Sequence, residues 1–143
     1  MSDLSKRAVI AGLMALPITA RAESKASDMI ISEVKIYYLD WDVLTRVAIN
    51  TKQMRDGFYQ TYCHIKINDD FVKSLLPILQ LDKLAALKEP VHPDVRLVVD
   101  LIHGEDVSTY IADRFTLYSS DMSQSHLIDD TFRNFFRERF ANV

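Results

Sequence analysis

The chain has 143 residues, 48% hydrophobic and 26% charged, with 3 Gly and 4 Pro, a balance that excludes disordered, collagenous and low-complexity classes. Its formal charge of −3 comes without the clustered basic surface that nucleic acid demands, so no nucleic-acid partner is expected. The single cysteine, Cys63, leaves no internal disulfide, and a chain of this length can bury a sufficient core without metal or disulfide staples.

The first segment reads as an address. Lys6 and Arg7 precede the apolar stretch Ala8 to Leu16, Pro17 closes it, and small residues end in Ala20-Arg21-Ala22. This pattern predicts a secretory signal over residues 1–22, with cleavage before Glu23. The apolar stretch is shorter than the about 20 residues a membrane span needs, so no transmembrane segment is expected. Ser5-Lys6-Arg7-Ala8-Val9-Ile10 resembles a twin-arginine export signal, but Lys6 stands where the first arginine belongs, which favours the general secretory route. The remainder, residues 23–143, is read as one soluble α+β domain, periplasmic or secreted.

After a polar leader to Met29, Ile31 to Leu39 alternates, placing Val34, Ile36 and Tyr38 on one face and Glu33, Lys35 and Tyr37 on the other. That is the mark of a half-buried antiparallel strand. Asp40-Trp41-Asp42 interrupts it. Val43, Thr45, Val47, Ile49 and Thr51 then place a β-branched residue at every second position, predicting a second strand, although a helix capped by Asp42 competes. Asp56-Gly57 suits a tight turn into a strand from Phe58 to Ile67, so Val43–Thr51 is expected as the other arm of that hairpin. In this strand Cys63 shares parity with Tyr59, Ile65 and Ile67, which places it toward the core and His64 outside.

Asn68 is a suitable cap for a helix carrying Phe71, Val72, Leu75, Leu76 and Leu79 on one stripe, with a kink or break expected near Pro77. Asp82 caps a second short helix through Leu87 on this reading, and Glu89 to Pro93 forms an extended linker. Arg96 to Ser119 reads as a long β-hairpin. A type II′ turn at Gly104-Glu105 sets His103 opposite Asp106, Ile102 opposite Val107, Val98 opposite Ile111 and Arg96 opposite Asp113. Ser119 to Met122 is expected to turn and Ser125 to Ile128 to pair with the hairpin's outer strand. Asp129 caps a final amphipathic helix whose Phe132, Phe135, Phe136 and Phe140 should cover one sheet face. The class is therefore α+β: an antiparallel sheet of about four to six strands with helices on one face, a long central hairpin and a C-terminal helix.

Chemistry is sparse. Asp100 interrupts the apolar run Val98 to Ile102, and a buried carboxylate needs a partner, so Asp100, Asp113 and His103 are the catalytic candidates. Against them, an outward-facing strand residue is the simpler account of Asp100 if that sheet face is open to solvent. Trp41, Arg96, Thr109 and Arg114 are the binding candidates, with Trp41 either packed at the sheet end or exposed as an anchor. His64, His92, His103 and His126 never fall at close metal-ligand spacings, and no phosphate loop, nucleophile elbow or Cys–His signature occurs. No metal or cofactor is expected. By elimination the sequence points to an exported protein-binding module, such as an inhibitor, immunity or accessory factor, rather than an enzyme. A small hydrolase or metal-dependent enzyme built on an Asp/His pair is the alternative.

Overall fold

The computed structural model describes residues 30–66 and 70–140. The expected signal, the leader through Met29 and the cap at Asn68 lie outside the described residues. In chain order the elements are β1 (Glu33–Tyr38), a helical turn α1 (Thr51–Gln53) that widens into a π turn over Met54–Phe58, β2 (Thr61–Lys66) and α2 (Asp70–Leu79). Then come β3 (Ala85–Ala86), β4 (Leu97–His103), β5 (Asp106–Ala112), β6 (Thr116–Ser119), β7 (Gln124–Leu127) and α3 (Asp130–Phe140).

Among the described residues the seven strands form one antiparallel sheet, ordered β2-β1-β4-β5-β6-β7-β3. The fold is α+β, with more strands than the four to six expected. Alternation in β1 produces the expected faces: Val34, Ile36 and Tyr38 are buried, and Glu33, Lys35 and Tyr37 are half-buried. In the hairpin, Val98 pairs with Ile111, Asp100 with Thr109, Ile102 with Val107 and His103 with Asp106. Gly104 takes φ +66°, the left-handed value that the turn requires of its first central residue.

The two longer helices cover one sheet face. Leu75 and Leu79 of α2 and Phe132, Phe136 and Phe140 of α3 join Val34, Ile36, Tyr38, Leu97, Val99 and Leu101 in the larger core. Asp129 caps α3, its Oδ1 accepting from Phe132 N at 3.0 Å. Removing that acceptor in an Asp129→Ala variant should cost about 1 kcal/mol in a urea melt.

A smaller core occupies the opposite face, where Met54, Ile49 and Val95 meet Val98, Ile111 and Tyr118. Its lid is the segment in which the expected second strand does not form. Residues 43–50 are irregular, and β2 pairs with β1 instead of with them. A capping box decides the local structure: Gln53 N donates to Asn50 Oδ1 at 2.8 Å while Asn50 N donates to Gln53 Oε1 at 2.9 Å. These bonds start a helical turn where the β-branched alternation would have run on. Gly57 (φ +134°) ends that turn rather than forming a hairpin.

Three smaller differences follow from local chemistry. The helix α2 runs through Pro77 and stops two residues later, where Gln80 turns left-handed (φ 49°). The second short helix from Asp82 is replaced by a 3-10 turn, Leu81–Lys83, after which Ala85 and Ala86 pair with Ser125 and Gln124. The hairpin's outer arm breaks at Asp113 and Arg114 and folds back as β6, which then pairs with β7. The expected Arg96–Asp113 pair is not made. The β4–β5 ladder stops at Leu97–Ala112, and the Asp113 carboxylate instead accepts from the N–H groups of Phe115 and Thr116, both at 2.8 Å.

Candidate functional site

Asp100 occupies the centre of the second sheet face, between Lys35 on β1 and Thr109 on β5. It is buried, at 3% exposure, because Arg55 from the π turn lies over it. Arg55 Nη1 donates to Asp100 Oδ2 and Arg55 Nη2 to Oδ1 at 2.8 Å, while Thr109 Oγ1 donates to Oδ1 at 2.6 Å. The fork geometry makes a strong charge-assisted pair. Its hydrogen bonds to Asp100 hold the Arg55 guanidinium charged against the opposing effect of burial.

Arg55 also lies over the Tyr37 ring, 5.6 Å from its centroid. Tyr37 is one corner of a tyrosine triangle, with centroids 5.6 Å from Tyr59 and 4.9 Å from Tyr62, and 6.0 Å between Tyr59 and Tyr62. Three separate elements supply these rings: β1, β2 and the turn between α1 and β2. Tyr62 is 42% exposed, so the group forms an aromatic surface beside the buried ion pair, and Phe58, the residue before Tyr59, is 55% exposed.

The other sequence candidates are distributed. His103 lies three residues from Asp100, hence on the opposite side of the pleat, with its Nε2 3.1 Å from Ser108 Oγ. Asp100 and His103 therefore do not form an acid–base pair, and both Asp100 oxygens are engaged. Trp41 is 1% exposed. Its Nε1 donates to Arg133 O at 3.0 Å and its ring packs against Tyr38 and Phe132, so it anchors α3 to the sheet and presents nothing to a partner. Asp40 accepts from the Tyr38 hydroxyl at 2.9 Å, and burial, reinforced by this bond, pushes the phenol pKa upward.

Arg96 and Arg114 meet at a second place. Both donate through Nη2 to the Val43 carbonyl, at 2.8 and 3.1 Å. Arg96 is fully buried and pairs with Asp94 Oδ1 at 2.7 Å, which also accepts from Ile49 N at 2.9 Å. Two guanidinium groups thus clamp the start of the irregular loop, whose Leu44 (83%) and Val47 (68%) are exposed. Next to the clamp is a cavity of about 180 Å³ lined by Asp94, Asp113, Arg114 and Phe115. A shallower depression of about 380 Å³ lies between α2 and α3, where Arg139 sits 4.7 Å from the Phe71 ring centre.

Of the residues that build these places, sequence reasoning finds Asp100, Asp113, Thr109, Arg96 and Arg114, and misses Arg55, Asp94, Phe115 and the tyrosine triangle. The spacing Asn50-x-x-Gln53 is the available signal for Arg55, because it starts the helical turn that aims Arg55 at the sheet. Nothing local signals the triangle, which exists only once β2 has paired with β1. Comparison with protein-family models, curated protein sequences and solved structures found no match.

Proposed function

We propose that this chain is a small exported protein of a bacterial-type cell envelope that recognises another protein, as an inhibitor, immunity or accessory factor. The observation that carries the reading is the aromatic surface of Tyr37, Tyr59 and Tyr62 beside Arg55, with the exposed Phe58 next to Tyr59 in the chain. Tyrosine and arginine are enriched at interface hot spots because they bring large contact area and hydrogen-bonding capacity to a desolvated centre. Here the surface is preorganised. Asp100 fixes Arg55, and the rings support each other, so little side-chain freedom remains to be lost on binding.

Export rests on the sequence of residues 1–22: two cations, an apolar core closed by Pro17, and a small-residue cleavage pattern. Among the described residues no helix is long and apolar enough to cross a membrane.

The test begins with residues 23–143 as immobilised bait in envelope extract. A retained protein should then bind Tyr62→Ala and Phe58→Ala variants about 10-fold more weakly, corresponding to roughly 1.4 kcal/mol each, with unchanged melting. Retention of no protein at high bait concentration sinks the reading. A partner whose affinity ignores both substitutions moves the interface elsewhere.

A further inference from the structure

Buried polar atoms without partners are rare, and each calls for an explanation. Among the described residues the buried side-chain donors without an acceptor are Arg96 Nε and Arg114 Nε, and both belong to the clamp on Val43. Arg96 has Asp94 as its counter-ion, but no carboxylate among the described residues lies within ion-pair distance of Arg114. Arg114 is half-buried and lines the cavity of about 180 Å³. That lining also holds two carboxylates, Asp94 and Asp113, and one phenyl ring, Phe115, which is 68% exposed.

The four side chains restrict what fits. One water occupies about 30 Å³ of liquid, so the space is several waters large. It is also below the roughly 300–1,000 Å³ of sites for drug-sized ligands, a size that a single amino acid matches. A simple anion would satisfy Arg114 but face two aspartates. A simple cation would suit Asp94 Oδ2 and the Asp113 carboxylate, beyond the donors that Arg96, Ile49, Phe115, Thr116 and Tyr118 already supply, but face the guanidinium that lacks a counter-ion. Only a molecule carrying both charges meets both demands, and an apolar part would cover the Phe115 ring.

We propose that this cavity binds a small zwitterion, of which a free α-amino acid is the simplest: its carboxylate to Arg114, its ammonium to Asp94 and Asp113, its side chain against Phe115. Arginine suits the first role because its guanidinium keeps N–H donors to spare after Nη2 has bonded to the Val43 carbonyl. Arg96, buried behind it and neutralised by Asp94, is a positioning residue that holds the Val43 carbonyl to which Arg114 is tethered. The site is separate from the tyrosine surface, so its failure leaves the protein-recognition reading untouched.

The experiment is a thermal-shift screen of the twenty free L-amino acids at millimolar concentration, followed by titration calorimetry of the best. Each is compared with its N-acetyl form, which lacks the ammonium, and its carboxamide, which lacks the carboxylate. At least one free amino acid should raise the melting temperature by about 2–5 °C. Both blocked forms should fail to do so, and Arg114→Gln should weaken binding at least about 10-fold. Phe115→Ala, at an exposed position where folding is safe, should weaken binding of amino acids with large apolar side chains more than that of glycine. The proposal is overturned if no free amino acid shifts the melt, if an N-acetyl form binds as tightly as its parent, if binding survives unchanged in Arg114→Gln, or if binding of an amino acid with a large apolar side chain survives unchanged in Phe115→Ala.

Discussion

Arg55→Met is expected to destabilise the protein by about 2–4 kcal/mol, toward the lower part of the range for a broken buried ion pair because Arg55 itself is partly solvated. The loss is not the value of a contact. It is the cost of leaving the Asp100 carboxylate at 3% exposure with only Thr109 as a donor. A second substitution separates the two. In Arg55→Met/Asp100→Leu no charge remains, the introduced leucine side chain continues the apolar run Val98 to Ile102, and most of the stability should return. Urea denaturation of the four proteins in the cycle checks this, and a double variant no more stable than Arg55→Met alone would show that the cost has another origin.

Deleting the chain from Asp129 onward should abolish cooperative thermal unfolding. The deletion strips Phe132, Phe136 and Phe140 from the larger core, and it leaves the Trp41 indole without the Arg133 carbonyl that receives its N–H. A milder version is quantitative. Phe136 is fully buried, its ring centre 5.1 Å from Phe132, 5.2 Å from Phe135 and 6.4 Å from Trp41. Phe136→Ala should therefore cost about 3–5 kcal/mol, a large part of the roughly 5–15 kcal/mol typical of a whole domain. An unchanged melt in the deletion would mean that the sheet is stabilised chiefly from its other face.

What the residues reveal on their own is the part governed by period and by turn chemistry. The alternation of β1, the Gly104 turn, the register from Val98–Ile111 to His103–Asp106, and the phenylalanine stripe of α3 all follow from neighbours within a few positions. Val43 to Thr51 shows where such reasoning stops. Its β-branched alternation is genuine, but the Asn50–Gln53 capping box and two arginines, one just before β4 and one in the β5–β6 turn, outweigh it. The same long-range capture hides the candidate site. Asp100 stands out because a carboxylate interrupts an apolar run, yet its partner comes from 45 positions away. The Arg96–Asp113 pairing fails for the converse reason: the ladder ends one residue early, and each side chain finds better donors or acceptors off the sheet.

The position of β1 between β2 and β4 has a consequence in time. The meander from β4 to β7 joins neighbours in sequence and can close by short loops, whereas β1 meets β4 across roughly 60 to 70 intervening positions. On a growing chain β1 and β2 emerge first, and the β4 side of β1 stays unpaired until Leu97 to His103 have been made. During that interval an unpaired strand edge, with Val34, Ile36 and Tyr38 on one face, is open to any chain that meets it, which is a route to aggregation. Dilution or a holding chaperone should therefore raise refolding yield more for this protein than for a sheet of equal size built only from sequential hairpins.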